Sequence, residues 1–324
     1  MDIYIDKENL LSLINSRTES LYHDCLKTLK KQLNVFFNFP KEDLKADEKL
    51  MTWYADFSQG VGENNTFVFG DIFPPRPLKS TTYKSFNSNH LSSVYLINDE
   101  RFDALNNTGT LLMSKPGEEI ELFNKLFLFQ KDYIFEKRWR ICSPSFNSWN
   151  HLTAFSLPLS DIIIVDPFIL KNKDTDKDTI DVNLIAYLEI LSENINVKTN
   201  IIVFTNPNNI DVDYPVLLPK IKAVFNRTTN VKPNFTLVKT SKEHDRTIIT
   251  NYLRIKSGDT FNFFNNQGQR ITKGKEIEYS SLANAENHKL ALEVIKDLQI
   301  QINSLKINNP EFIIGDKECN YLTF

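Results

Sequence analysis

Asp161-Ile162-Ile163-Ile164-Val165-Asp166-Pro167-Phe168 is the stretch that decides the fold. Four consecutive β-branched apolar residues between two aspartates predict a strand buried on both faces, and the Asp-Pro pair ends it. After a charged loop over residues 171–178, residues 181–193 place Leu184, Ile185, Leu188 and Leu191 at helical spacing. A second buried strand follows over 200–205, a second helix over 215–225 and a third strand over 235–238. Strands alternating with helices of this length predict a largely parallel sheet with helical crossovers. Residues 286–305 carry Leu290, Val294, Leu298, Ile302 and Leu305 in one stripe. That stripe is read as a packing face, with a dimer seam as the alternative.

The first half is less regular. Ile3-Tyr4-Ile5 is a short strand candidate, and Asp6 a candidate N-cap for a helix over 9–37. Residues 66–69, 94–97 and 110–113 are further strand candidates, the first stopped by a Pro-rich loop at 73–77, and 118–131 has helical spacing. The expectation is a two-domain α/β protein: an irregular α/β module over 1–150, of unstated role, and a second domain over 151–324.

Composition excludes several classes. With 41% hydrophobic and 24% charged residues the chain is an ordinary globular protein, and a net charge of -3 leaves no global basic field. A nucleic acid would therefore need a local basic patch. Cys25, Cys142 and Cys319 are far apart and odd in number, which indicates neither a disulfide framework nor a zinc ribbon, and a reducing cytoplasm is the expected compartment. The acidic start, Met1-Asp2-Ile3-Tyr4-Ile5-Asp6, lacks the features of a secretory signal, and no window approaches the ~18 apolar residues of a membrane span. Abundant Asn, Lys and Ile with few Gly fit an AT-rich bacterial coding sequence.

The candidate for chemistry is His244-Asp245-Arg246-Thr247-Ile248-Ile249-Thr250-Asn251, with Ser257-Gly258 shortly after. If the run is a strand, alternation sets His244 and Arg246 on one face, roughly 7 Å apart. Imidazole and guanidinium then converge on one anion. The run resembles the H-x-K-x4-D signature of the phospholipase D superfamily, with Arg for Lys and Asn for Asp. The order strand, Asp166-Pro167-Phe168, helix, strand, helix, strand, His-x-Arg is similar to that family's domain layout, and His-Asp-Arg looks like the variant in its degenerate members. The likeness covers roughly residues 155–324.

The resemblance implies a phospholipase-D-like mixed sheet flanked by helices. It makes His244 the nucleophile, Arg246 the phosphate clamp, Asn251 the orienting residue and Ser257-Gly258 the adjoining phosphate-binding turn. It needs no metal and no cofactor. Asn251 lacks the charge of the family Asp, which weakens the implied chemistry. With one motif per chain, hydrolysis requires a homodimer in which two His244 side chains meet. The implied function is recognition, with metal-independent hydrolysis as the further step, of a nucleic-acid phosphodiester. By analogy it would act in a bacterial antiviral defence system, where it could have a protein partner. The alternative is a non-catalytic module of the same fold that binds a phosphate group, a lipid headgroup or a partner protein.

Other features carry less. Asp166 ends a strand where α/β sheets hold ligands, although a turn is the simpler reading. Lys137-Arg138-Trp139-Arg140 is a candidate nucleic-acid contact, against a strand with a solvated basic face. Lys220, Lys222, Arg227 and Lys232 could add to a basic patch, with a solvated helix and loop as the alternative. Ile5-Asp6-Lys7-Glu8-Asn9-Leu10 is similar to the opening of PIN-like metal nucleases, but a plain helix cap is the simpler reading. Glu119-Ile120-Glu121 lacks the following Lys of a PD-(D/E)xK nuclease and is read as a solvated face.

Overall fold

The computed structural model describes every residue except 17–19, 60–66, 71–92, 99–108, 114, 127–135, 145, 156, 172–178, 194, 196, 230, 243–245 and 272–275. The chain forms two compact units with a mixed α/β fold. Unit one is Met1–Phe135 with Ser281–Lys289, and unit two is Glu136–Ser280 with Leu290–Phe324.

Unit one contains β1 (Asp2–Ile5), α1 (Lys7–Asn15), α2 (Ser20–Gln32), β2 (Asn34–Phe37), α3 (Glu42–Ala46), α4 (Glu48–Ser58), β3 (Phe67–Phe69), β4 (Ser93–Leu96), β5 (Leu111–Met113) and α5 (Glu119–Leu126). The strands run in the order β3-β2-β1-β4-β5, and every pairing is parallel. The helix expected over 9–37 breaks into α1, α2 and β2. Its last residues alternate: Val35 and Phe37 are buried and Asn34 and Phe36 half-buried, which is the two-residue period of a strand. Aromatic packing then fixes the two faces. Phe37 stacks on Phe69 at 4.5 Å, and Tyr4 stacks on Phe36 at 4.9 Å and Tyr95 at 4.8 Å. Asp6 caps α1 as expected, accepting from the Asn9 backbone N–H at 2.9 Å.

Unit two contains β6 (Glu136–Arg140), β7 (Asp161–Val165), one π turn (Asp181–Ile185), α6 (Ala186–Ser192), β8 (Asn200–Thr205), α7 (Tyr214–Thr228), β9 (Asn234–Lys239), β10 (Thr247–Ile249), β11 (Leu253–Ser257), β12 (Glu276–Ser281), α8 (Ala285–Asn308) and β13 (Ile313–Gly315). The sheet order is β13-β9-β8-β7-β10-β11-β12-β6. β7, β8 and β9 are parallel; β10 runs antiparallel to β7, and β13 antiparallel to β9. Every residue of β7 and β8 is buried, as their apolar runs predict. The break expected near residue 150 lies earlier, because β6 pairs with β12 and so belongs to the second sheet. In α8, Leu298 and Ile302 of the expected stripe are buried together with Ala291 and Ile295, while Leu290, Val294 and Leu305 are half-buried. Gly315 has φ 117°, and a Cβ there would stand 2.1 Å from the Phe235 carbonyl oxygen, so β13 closes on β9 only with glycine at this point.

Candidate functional site

β10 is only three residues long, and it starts at Thr247. Arg246 therefore lies just before the strand, and His244 lies outside the described residues. Thr247 pairs with Val165, so Arg246 stands beside Asp166 at the carboxyl end of β7. On one side Ser257 donates its backbone N–H to the Arg246 carbonyl at 3.2 Å. On the other side Val165 pairs with Phe204, and Asp166 donates its backbone N–H to the Phe204 carbonyl at 3.0 Å, so Thr205 comes next. Ser257, Arg246, Asp166 and Thr205 thus follow one another across four neighbouring strand ends, about 4.8 Å apart. Carboxyl ends of parallel strands are where such sheets place ligands.

Asp166 is the anchor of this end. It is fully buried, and it accepts from the Phe168 N–H at 2.8 Å, the Thr260 hydroxyl at 2.7 Å and the Phe261 N–H at 2.7 Å. Burial pushes its carboxyl above the usual range, against those three hydrogen bonds and the Arg246 charge. Its first bond is the turn expected of Asp-Pro, and its other two clamp the segment after Gly258 onto β7. Arg246 is half-buried, with its guanidinium carbon 5.9 Å from the centre of the Phe168 ring. Among the described residues its buried Nε has no hydrogen-bond acceptor, and the buried Thr205 hydroxyl and Asn262 amide oxygen have no partner. Gly258 is exposed with open space around it, so the turn leaves a lip beside Arg246.

The structure does not bring Asn251 to this site. Asn251 follows β10, at the opposite end from Arg246, and five residue steps separate the two by up to roughly 16 Å. It is only 4% exposed; its Oδ1 accepts from the Ser160 N–H at 3.0 Å and the Asp161 N–H at 3.2 Å, and its Nδ2 donates to Ser160 Oγ at 3.0 Å. Asn251 is a buried structural clamp at the amino end of β7. The polar chain continues there: Ser160 Oγ donates to Asp161, Asn200 Nδ2 donates to Asp161 at 2.9 Å, and Asn234 Nδ2 donates to Asn200 at 2.8 Å.

The basic run on β6 reads differently in place. Trp139 is buried against Tyr279 and Phe146, so its ring is closed to a stacking base. Lys137 lies 5.1 Å over that ring, Arg138 pairs with Glu278 at 2.7 Å, and Arg140 stands opposite Glu276. Lys220 and Arg227 pair with Asp181 and Glu189, as a solvated surface would. Thr205 was not visible from sequence, since a threonine at the end of an apolar run carries no signal until register places it.

The chain matches no protein-family model and no curated protein. Among solved structures it is similar to TrmBL2, described as an archaeal chromatin protein with a novel mode of DNA binding. That likeness has 13% identity and a TM-score of 0.29 over 62% of this chain and 63% of the other, which shows neither a shared fold nor a shared function. No helix among the described residues is long and apolar enough to cross a membrane.

Proposed function

We propose that the chain recognises the phosphate backbone of a nucleic acid at the carboxyl end of its second sheet, with Arg246 as the grip. One observation carries the reading: a guanidinium beside a sheet end, near the Phe168 ring, with a buried Nε that finds no acceptor among the described residues. A guanidinium fork fits a phosphate, and Thr205 and Ser257 add hydroxyl donors along the same row. The Asp166 carboxylate is already taken by three donors, so it holds the loop rather than the ligand. The phosphodiester class comes from the resemblance of His244-Asp245-Arg246 to the phospholipase-D-like motif.

Within this reading a binding site is favoured over a hydrolytic one, because Asn251 is committed to Ser160 and Asp161 at the far end of β10. Hydrolysis would need His244 from two subunits of a homodimer, and a defence role would follow from what is cleaved. The test is fluorescence anisotropy of labelled single-stranded and duplex DNA and RNA in EDTA. Arg246→Ala should weaken binding roughly tenfold or more, since hydrogen bonds to a charged group contribute about 1.5–3 kcal/mol. Arg246→Lys should fall between, because it keeps the charge and loses the planar fork. Wild-type affinity in Arg246→Ala defeats the proposal. Metal-independent cleavage by wild type but not by His244→Ala would add hydrolysis to it.

A further inference from the structure

An aromatic side chain stands beside Arg246 at the carboxyl end of the second sheet. Phe168 comes shortly after β7, beyond the Asp166-Pro167 turn. Its backbone is pinned on both sides. Its N–H donates to Asp166 Oδ1 at 2.8 Å, and its carbonyl accepts from the Lys171 N–H at 3.0 Å and from Asn262 Nδ2 at 2.8 Å. Asp166 and Asn262 are themselves 0% exposed. The turn therefore carries the ring at a fixed place.

The ring is not spent on the core. Ile169 and Leu170, which follow it, are buried, whereas Phe168 is half-buried and keeps part of its surface open. The Arg246 guanidinium carbon lies 5.9 Å from the ring centre, at the outer reach of a cation–π contact. Cation and ring thus adjoin. Gly258, exposed and with open space around it, leaves room beside Arg246. Trp139, the aromatic expected from sequence to stack on a base, is closed by Tyr279 and Phe146 and cannot serve in its place.

The pairing of a phosphate grip with an open ring selects among ligands. A free phosphate uses the cation and leaves the ring idle. A duplex presents its phosphates outward but keeps its base faces stacked on one another, so the ring meets no base face. An unpaired base stands one sugar away from its own phosphate and offers a free π-face. Proteins that bind single strands combine these two elements, cations along the backbone and aromatic rings under the bases.

We propose that the site takes single-stranded nucleic acid, with a backbone phosphate on Arg246 and an unpaired base stacked on Phe168; this rests on the Arg246 grip proposed above and narrows its ligand. Every base has a π-face, so the site reads strandedness rather than sequence.

The test is fluorescence anisotropy of the full chain with a labelled thymidine oligomer, alone and annealed to its complement, over a range of salt. Wild type should bind the single strand roughly tenfold tighter than the duplex. Phe168→Leu should weaken single-strand binding roughly fivefold or more and duplex binding by no more than about twofold. Phe168→Tyr keeps the ring and should bind like wild type. Arg246→Ala should lower the slope of log affinity against log salt by about 0.7, one phosphate contact, whereas Phe168→Leu leaves that slope unchanged. If Phe168→Leu does not fold, the single-strand preference of wild type carries the decision. Equal affinity of wild type for the two forms, or equal losses on both in Phe168→Leu, overturns the proposal and leaves the Arg246 grip standing. Wild-type affinity in Arg246→Ala defeats the grip and this proposal with it.

Discussion

Replacing Asn251 by alanine decides whether that residue belongs to chemistry or to structure. Its Oδ1 is the acceptor for the backbone N–H groups of Ser160 and Asp161, at 3.0 and 3.2 Å, and its Nδ2 donates to Ser160 Oγ at 3.0 Å. All three residues are buried. Alanine strands two buried N–H groups at about 1–3 kcal/mol each and deletes the amide–hydroxyl bond, so the loss is about 3–5 kcal/mol. In a unit of this size each kcal/mol moves the melting midpoint by about 2–4 °C, which gives a fall of roughly 10 °C. Calorimetry of the full chain measures it. Asn251→Asp is the sharper companion, because it installs the carboxylate of the H-x-K-x4-D signature. A restored catalytic residue would raise hydrolysis and spare stability. The structure predicts the reverse, since Ser160 Oγ already donates to Asp161 at 2.6 Å and a second carboxylate would face the same hydroxyl in a buried place. Burial and Asp161 would raise the new carboxyl above its unfolded value. The variant should therefore approach wild type below about pH 4 and lose stability progressively as the pH rises. A midpoint within about 2 °C of wild type for Asn251→Ala refutes the structural account, and metal-independent cleavage gained by Asn251→Asp returns the residue to the catalytic site.

Asp166 is held above the usual carboxylate range by burial, so it contributes stability at acid pH that is lost as the pH rises through its folded value. The stability of wild type relative to Asp166→Asn should fall as the pH rises above about 4, by no more than about 1.4 kcal/mol per pH unit, read from urea melts; a rising difference contradicts the direction. Thr205→Val removes a buried hydroxyl that has no partner, so it should keep or raise stability by up to about 1 kcal/mol while weakening nucleic-acid binding. Unchanged anisotropy would take Thr205 out of the site. Gly315→Ala forces a left-handed residue and a contact with the Phe235 carbonyl, and should cost at least about 1–3 kcal/mol in a thermal melt; no shift would show that β13 does not need its close approach to β9.

The second sheet was legible because its central strands are buried on both faces. Ile162 to Val165 and Ile201 to Phe204 announce themselves by composition, and the helices between them by spacing. β2 was not legible, because Leu29, Leu33 and Phe37 continue the helical spacing of α2, and only the pairing of Val35 and Phe37 with β1 makes that end a strand. The candidate site was half legible. Arg246 stands between Ser257 and Asp166, because antiparallel pairing returns β11 to the start of β10 and β10 itself lies beside β7. Asn251 does not join them, because spacing in a motif is not proximity and β10 with Thr250 carries it to the other end of the sheet. Glu119, expected on a solvated face, is 0% exposed, because local polarity says nothing of what a helix start is packed against.

The two ends of β7 differ in how their buried polar groups are satisfied. At the amino end, Asn234, Asn200, Asp161, Ser160 and Asn251 form a closed chain in which each buried polar group finds another. Such an end needs nothing from outside, and its polar residues are explained by stability alone. At the carboxyl end two buried donors, Arg246 Nε and Thr205 Oγ1, have no partner among the described residues, although Asp166 beside them is satisfied three times over. Buried polar groups left unmade cost more than they return to the fold. A fold built for stability would replace Thr205 with valine and aim Arg246 at Asp166. That it does neither is the strongest reason to look for an anion there, and it makes Thr205→Val more decisive than any variant of the motif itself.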